Sequence, residues 1–166
     1  MKVLLTIVSS FTGGSVAAQT EEPPKLVVDF RGPAGKTRAL GFAGSHRRFF
    51  SAGENKRLQF YDLANDTIIP GSVIRWEFAR GALGEVNDAE TSADGTKVLI
   101  GGCSLRNAGG DLVLVDTGTQ TVLAHFSAPA EVVCVALSAS GQTVVAADLR
   151  SGITAWRLID GGWQQR

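Results

Sequence analysis

The feature that most constrains this chain is a segment that occurs three times at nearly regular spacing. Residues 91–102 read TSADGTKVLIGG and residues 137–148 read LSASGQTVVAAD, and a weaker copy, FAGSHRRFFSAG, occupies residues 42–53. The copies start at residues 42, 91 and 137, so the offsets are 49 and 46 residues. Such periods indicate supersecondary units that are each too small to bury their own apolar faces and that stack on their neighbours.

Each copy is followed by further segments with the pattern of β-strands. Apolar and polar residues alternate in 58–62, 112–116 and 153–157, and each of these segments ends at a polar turn. After the first two turns, another short strand is predicted at 73–78 and 121–126. This succession of strands and turns predicts a unit of four strands. No window shows the 3.6-residue apolar period of a helix, so the predicted fold class is all-β.

Composition agrees with a folded β protein and excludes some partners. Hydrophobic residues make up 44% and charged residues 19% of the chain, which is enough apolar material for a core. Lys plus Arg and Asp plus Glu number 16 each, so no basic footprint for nucleic acid is present. The longest apolar runs are far too short to span a bilayer. We therefore expect no nucleic-acid partner and no membrane span.

At this point the repeats resemble the WD-repeat family of β-propellers, over about residues 26–160. The resemblance rests on the turns SADG and SASG and on the third-strand ends Tyr61-Asp62, Val115-Asp116 and Trp156-Arg157. Tyr61 and Trp156 match the tryptophan of the family. The resemblance implies a partial or incomplete β-propeller of about three four-stranded antiparallel blades, and the blades are predicted at 26–78, 79–126 and 127–166.

The chain departs from the family pattern at the residues of its buried hydrogen-bond network. No Gly-His dipeptide opens any repeat, so that the usual Asp–His–Ser–Trp network cannot be assembled. The position of the structural aspartate of the family is taken by Asn55, Gly109 and Arg150 in the three repeats. The blades are therefore predicted to be divergent members of the pattern.

Three blades alone present a packing problem, because a closed ring needs at least about four. Two apolar blade faces would stay in water, which favours self-association. The third repeat is predicted to stop after its third strand, near Leu158, and Leu26–Phe30 is predicted to be an outer strand. Two interpretations stay open. The chain is a piece of a longer propeller or multidomain protein, which is favoured, or two chains exchange outer strands and close a six-bladed ring.

The N-terminus has the pattern of a secretory leader. A positive start at Met1-Lys2 precedes the apolar run 3–8, and small residues end the segment at Ala18. We therefore predict a signal peptide at 1–18, a polar N-terminal segment at 19–25, and a secreted or periplasmic protein. The alternative is an ordinary first β-strand, which would leave the protein in the cytoplasm.

Residues that could carry chemistry are few. His46 and His125 are isolated in the sequence and no Cys-x-x-Cys pattern occurs, so we expect no metal site and no cofactor. Cys103 and Cys134 form either a disulfide or, as favoured, two buried free thiols. Asp88 and Glu90 alternate on one face of a strand, where they line a solvated channel wall or, less favoured, act as an acid–base pair.

These observations predict a non-catalytic protein-interaction or scaffold module, exported, with an unidentified protein partner. The contacts are expected in the loops that enter the inner strands, since propellers bind through blade-end loops. The candidate residues are Lys36, Arg38, Glu85 and Glu131. The alternative from a different class is a lactonase- or hydrolase-like propeller that uses the acids around its channel, Glu85, Asp88, Glu90 and Glu131.

Overall fold

The computed structural model describes residues 35–75, 84–103 and 109–166, and in these ranges the chain is all-β, with no helix. Three four-stranded antiparallel sheets follow one another along the chain, each with its strands in sequence order. We call them blade 1 (β1–β4), blade 2 (β5–β8) and blade 3 (β9–β12). This arrangement confirms the predicted fold class of a partial, three-bladed propeller. The strands are β1 (Thr37–Phe42), β2 (Arg48–Gly53), β3 (Arg57–Ala64), β4 (Thr67–Arg75), β5 (Val86–Thr91), β6 (Lys97–Cys103), β7 (Gly110–Asp116), β8 (Val122–Ala128), β9 (Val132–Leu137), β10 (Thr143–Asp148), β11 (Ile153–Ile159) and β12 (Gly162–Gln165).

Two-residue turns with positive φ form the outer hairpins of blades 1 and 3. Asn65 and Asp66 have φ values of 47° and 60° between β3 and β4, and Asp160 and Gly161 have values of 50° and 80° between β11 and β12. Positive φ at both central residues is the backbone of a tight hairpin turn whose twist matches that of the flanking strands, and Asn, Asp and Gly tolerate it best. The residue types at these two sites therefore select a chain reversal.

The Asp160-Gly161 turn corrects one prediction. The third repeat does not stop near Leu158, because the chain reverses and returns as β12, where Trp163 pairs with Leu158 and Gln165 with Trp156. Blade 3 therefore has its own outer strand, and no exchanged strand is needed to complete it. The predicted leader at 1–18, the polar segment at 19–25 and the predicted outer strand Leu26–Phe30 lie outside the described residues.

The second and third strands of a blade supply much of both of its faces, since side chains alternate along a strand. We call the face toward the following blade the leading face. Its central pairs are Phe50 with Phe60, Leu99 with Leu114, and Val145 with Ala155 in blades 1, 2 and 3. We call the face toward the preceding blade the trailing face. Its central pairs are Phe49 with Tyr61, Val98 with Val115, and Val144 with Trp156.

The hydrophobic core lies between the blades, in two clusters. The first joins the leading face of blade 1 to the trailing face of blade 2, and the second repeats this arrangement between blades 2 and 3. In the second cluster Phe126 packs against the rings of Trp156 and Trp163, with centroids 5.1 and 4.9 Å apart. Each fully buried large apolar side chain contributes about 1.5–3 kcal/mol. Stacking of blades, and not any one sheet alone, therefore stabilises this fold.

The turns between first and second strands also pack across blades. Gly44 and Gly95 have φ values of 72° and 70°, and a Cβ on Gly95 would lie 2.7 Å from the Gly44 nitrogen. His46 occupies the position that aligns with Gly95, and the left-handed residue of that turn is Gly44 instead, because glycine adopts positive φ without steric cost. The amide of Ala93 donates to the Ala139 carbonyl at 3.0 Å, which extends this contact to blade 3.

Candidate functional site

Three of the predicted contact residues occupy one repeated position. Lys36, Glu85 and Glu131 each come immediately before the inner strand of their blade, at Thr37, Val86 and Val132. The pairing register confirms that they are equivalent, since those three strand starts pair with Gly53, Gly102 and Asp148 at the ends of the second strands. Arg38 is the second residue of β1. All four predicted residues therefore lie at the same end of the inner strands.

An ionic network joins blades 1 and 2 at this end. The guanidinium of Arg38 is 3.2 Å from a carboxylate oxygen of Glu54 and 3.5 Å from one of Glu85, and the ammonium of Lys36 is 3.4 Å from Glu54. The hydrogen bond that the Lys36 amide donates to Glu54 is the main reason that the pKa of Glu54 is lowered. Because the Lys36 and Arg38 side chains are exposed to water, these ion pairs add little to stability.

An open groove of about 400 Å³ crosses the three blades here. We call it the inner-strand groove, and it is lined by Arg38, Asn87, Glu131, Val133 and Leu149. Arg38, Asn87 and Val133 are each the second residue of an inner strand. Val133 is 40% and Leu149 is 63% exposed, so the groove combines uncovered apolar side chains with a charged rim. Apolar surface with a polar rim is typical of protein-interaction sites.

Hydrogen bonds hold the wall of the groove between blades 2 and 3 in place. The Asn87 amide donates from Nδ2 to Oε1 of Glu131 and to the Val132 carbonyl, both at 2.8 Å. The Leu149 amide donates to the Glu131 carbonyl at 2.9 Å. Among the described residues, none donates a hydrogen bond to Oε2 of Glu131. The groove therefore presents a positioned carboxylate with one oxygen available to a ligand.

The acids Asp88 and Glu90 line an open groove of about 300 Å³, and they also accept hydrogen bonds from the facing strand. The Val135 amide donates to Oδ2 of Asp88 at 2.8 Å, and the Leu137 amide donates to Oε2 of Glu90 at 2.7 Å. Oδ1 of Asp88 accepts from the Ala89 amide at 2.9 Å. We call Asp88 and Glu90 the acid pair. Their spacing of two residues on β5 matches the spacing of two amides on the facing strand β9, so the acid pair connects blade 2 to blade 3.

Neither Cys103 nor Cys134 forms a disulfide, and neither is buried as predicted. Cys103 is partly buried and Cys134 is exposed, so the prediction of two buried thiols was wrong for both residues. Val135 and Leu137 are buried on one face of β9, and Cys134 lies on the opposite face because side chains alternate along a strand. The hydrogen bond to Asp88 is the main cause that raises the pKa of the Cys134 thiol. The thiol therefore stays protonated at neutral pH, which disfavours nucleophilic chemistry.

Two buried aspartates were missed by the sequence reasoning. Oδ1 of Asp148 accepts the amides of Arg150 and Gly152 at 2.8 and 2.9 Å. Asp111 accepts a hydrogen bond from the Ser127 hydroxyl at 3.1 Å, with His125 Nε2 3.8 Å away. In the WD-repeat pattern, the position of the structural aspartate falls at Gly109 in blade 2 and at Arg150 in blade 3. Asp111 and Asp148 each lie two residues from that position. The short polar interruptions of apolar strands were the only signal for them.

The described ranges contain no group of three His, Cys, Asp or Glu side chains placed to hold a metal ion. In the same ranges, no helix is long and apolar enough to cross a membrane. Comparison of the sequence with protein-family models gave no match, and comparison with curated proteins gave none.

Proposed function

We propose that this chain is a non-catalytic protein-interaction module that binds an extended segment of a partner protein in the inner-strand groove. One observation carries the proposal: exposed Val133 and Leu149 lie beside Glu131, whose carboxylate is positioned by Asn87 and keeps one oxygen available. Apolar contact supplies affinity and a single oriented charge supplies specificity, which is the usual division in such sites.

The groove favours one kind of segment. An aliphatic or aromatic side chain would cover Val133 and Leu149, and a neighbouring lysine or arginine would donate to Oε2 of Glu131. The cations Lys36 and Arg38 are already paired with Glu54 and Glu85, so an acidic segment would have to compete with existing partners. The preferred partner sequence is therefore an apolar residue next to a basic one.

Hydrolysis is supported less well by the same geometry. A lactonase- or hydrolase-like propeller needs carboxylates that can reach a substrate or a metal ion. Asp88 and Glu90 accept backbone amides of β9, Glu85 contacts Arg38, and Glu131 accepts from Asn87. These roles are structural or recognitive.

A peptide library displayed on phage tests the proposal. Peptides selected on the protein should be enriched in an apolar residue adjacent to Lys or Arg. Their binding should weaken by about tenfold or more in Glu131→Gln, which keeps an acceptor for Asn87 and removes the charge, and in Leu149→Ser. Leu123→Ser is the matched control, because Leu123 is an exposed leucine on the outer strand β8, away from the groove. The proposal would be refuted if the selected peptides bound the parent protein and all three variants equally. It would also be refuted if the selected peptides were not enriched in an apolar residue next to Lys or Arg.

The proposed place of action is outside the cytoplasm, and it depends on the predicted leader at 1–18. Expression in a secreting host followed by mass spectrometry of the N-terminus tests this part separately. The expected mature chain begins at Gln19. An intact N-terminus on protein that stays in the cytoplasm would contradict the predicted export and would leave the binding proposal standing.

A further inference from the structure

Two blade faces have no described blade against them. The trailing face of blade 1 presents Leu40, 72% exposed, and Phe42, 66% exposed, beside the stacked rings of Phe49 and Tyr61. The leading face of blade 3 presents Ile153, which is 76% exposed. Large apolar side chains exposed to this extent, on sheet faces whose counterparts in the same molecule are buried, mark an interface.

The repeat register identifies what each open face is built to contact. Leu40 and Phe42 pair with Ser51 and Phe49 in blade 1, as Val135 and Leu137 pair with Ala146 and Val144 in blade 3. In blade 3 those positions are buried against the leading face of blade 2. The trailing face of a blade therefore receives the leading face of the blade before it, and we also call it the receiving face. The open face of blade 1 is a receiving face, and the open face of blade 3 is a leading face.

From one contact between faces to the next, the side chains of the leading face and those of the trailing face that meets it vary in size in opposite directions. The central pair of the leading face shrinks from Phe50 with Phe60, through Leu99 with Leu114, to Val145 with Ala155. The side chains of the receiving face become larger in the order blade 2, blade 3, blade 1. They are Thr91, Val98 and Val115 in blade 2, Leu137, Val144 and Trp156 in blade 3, and Phe42, Phe49 and Tyr61 in blade 1.

Inside the molecule, large leading side chains meet small receiving ones, and smaller leading side chains meet larger receiving ones. Close packing requires such compensation, because an interface of two small faces leaves cavities and one of two large faces is overpacked. The smallest leading face, on blade 3, is therefore matched in volume by the largest receiving face, on blade 1. Both belong to the same chain, and its formal net charge is zero, so two copies have little net charge repulsion to overcome.

We propose that two copies of this chain associate head to tail, with the leading face of blade 3 of each copy packed on the trailing face of blade 1 of the other. The two contacts are identical by twofold symmetry and close a ring of six blades, a number within the four to eight that propellers use. Each blade keeps its own four strands, so the contact is between faces and involves no strand exchange. The inference is independent of the inner-strand groove.

Three aspartate variants at similarly exposed positions test the proposal by light scattering and sedimentation. Phe42→Asp alters the receiving face and Ile153→Asp the leading face. Val122→Asp is the control, since Val122 is 63% exposed on the outer strand β8. The parent chain and the control should have twice the mass of one chain. Either face variant should raise the dissociation constant by about 100-fold, because an unpaired charge is buried at the contact.

Mixing the two face variants tests the head-to-tail geometry. Neither variant alone retains an unaltered pair of faces, but a mixed dimer has one: the leading face of Phe42→Asp against the receiving face of Ile153→Asp. An equimolar mixture should therefore recover dimers that neither variant forms alone. A monomeric parent chain, assemblies of more than two chains, or loss of association with Phe42→Asp and not with Ile153→Asp would overturn the proposal. Unchanged far-ultraviolet circular dichroism confirms that each variant is folded.

Discussion

The trailing faces of blade 1 and blade 2 are both mainly apolar, but among the described blades only the trailing face of blade 2 is covered. Ala89, Val98 and Val115 of blade 2 are buried, because the leading face of blade 1 packs on them. Leu40 and Phe42, at the corresponding side of blade 1, are larger and more apolar, and yet they are exposed. The comparison teaches that burial in a stacked fold depends on the next unit along the stack, so that apolar character alone does not identify core residues.

The largest expected effect contrasts two phenylalanines of blade 1 that differ in this way. Phe50→Ala should lower the free energy of unfolding by about 3–5 kcal/mol, because Phe50 is buried in the first cluster and its loss leaves a cavity between blades. Phe42→Ala should change it by about 0.5 kcal/mol or less in the monomer, since this ring is already in water. Urea unfolding monitored by circular dichroism measures both. Equal losses would mean that Phe42 is covered within one chain.

Much of this architecture could be predicted from the sequence, because the repeat carries its own register. The turns SADG and SASG align Val98 with Val144, and the same alignment makes Glu85 equivalent to Glu131. The four residues proposed for binding were therefore predicted at one end of the inner strands, where the structure has them. Local turn chemistry was enough for this result, since it needs no knowledge of how one blade faces another.

The features that were missed depend on contacts between blades or on a late turn. The hydrogen bonds of the acid pair were not predicted, because only the relative height of β5 and β9 brings Asp88 and Glu90 to the amides of Val135 and Leu137. The apolar sequence around Cys134 predicted burial, but no described blade covers that side of β9. The strand β12 is short and polar, and the turn before it was its clearest signal.

The acid pair sharpens the comparison between blades, because blade 1 has Ala39 and Gly41 at the corresponding positions. Asp88→Ala should lower the free energy of unfolding by about 1–3 kcal/mol, since the Val135 amide loses its acceptor in a partly buried site. Hydrogen exchange should speed up at Val135 in this variant and at Leu137 in Glu90→Ala. Glu85→Ala is the control, with an expected change of about 1 kcal/mol or less, because the Arg38 side chain that it contacts is exposed. Unchanged exchange at both amides would contradict the assigned role.

The smallest expected effect concerns a difference between the SADG turn of blade 2 and the SASG turn of blade 3. In the turn of blade 2, the Ser92 hydroxyl and the amide and hydroxyl of Thr96 donate to Asp94 and lower its pKa to about 2. Blade 3 has Ser140 at this position. Since the pKa of Asp94 is lower in the folded state than its ordinary value of 3.8, its carboxylate stabilises the fold above about pH 4. That contribution is lost as the pH falls toward 2.

Asp94→Asn should therefore lower the melting temperature by a small amount at pH 7, and the difference from the parent chain should vanish near pH 2. Because Asp94 is exposed, added salt should reduce the charge-dependent part of the difference. Ser140→Asp is the matched variant, as it places a carboxylate beside Ser138 in the turn of blade 3. It should introduce a pH dependence of the same sign if the neighbouring hydroxyl is the main cause of the shift. If the melting temperature of Ser140→Asp depends on pH between 7 and 2 as that of the parent chain does, the hydroxyl of Thr96, which Gln142 of blade 3 lacks, is needed for the low pKa.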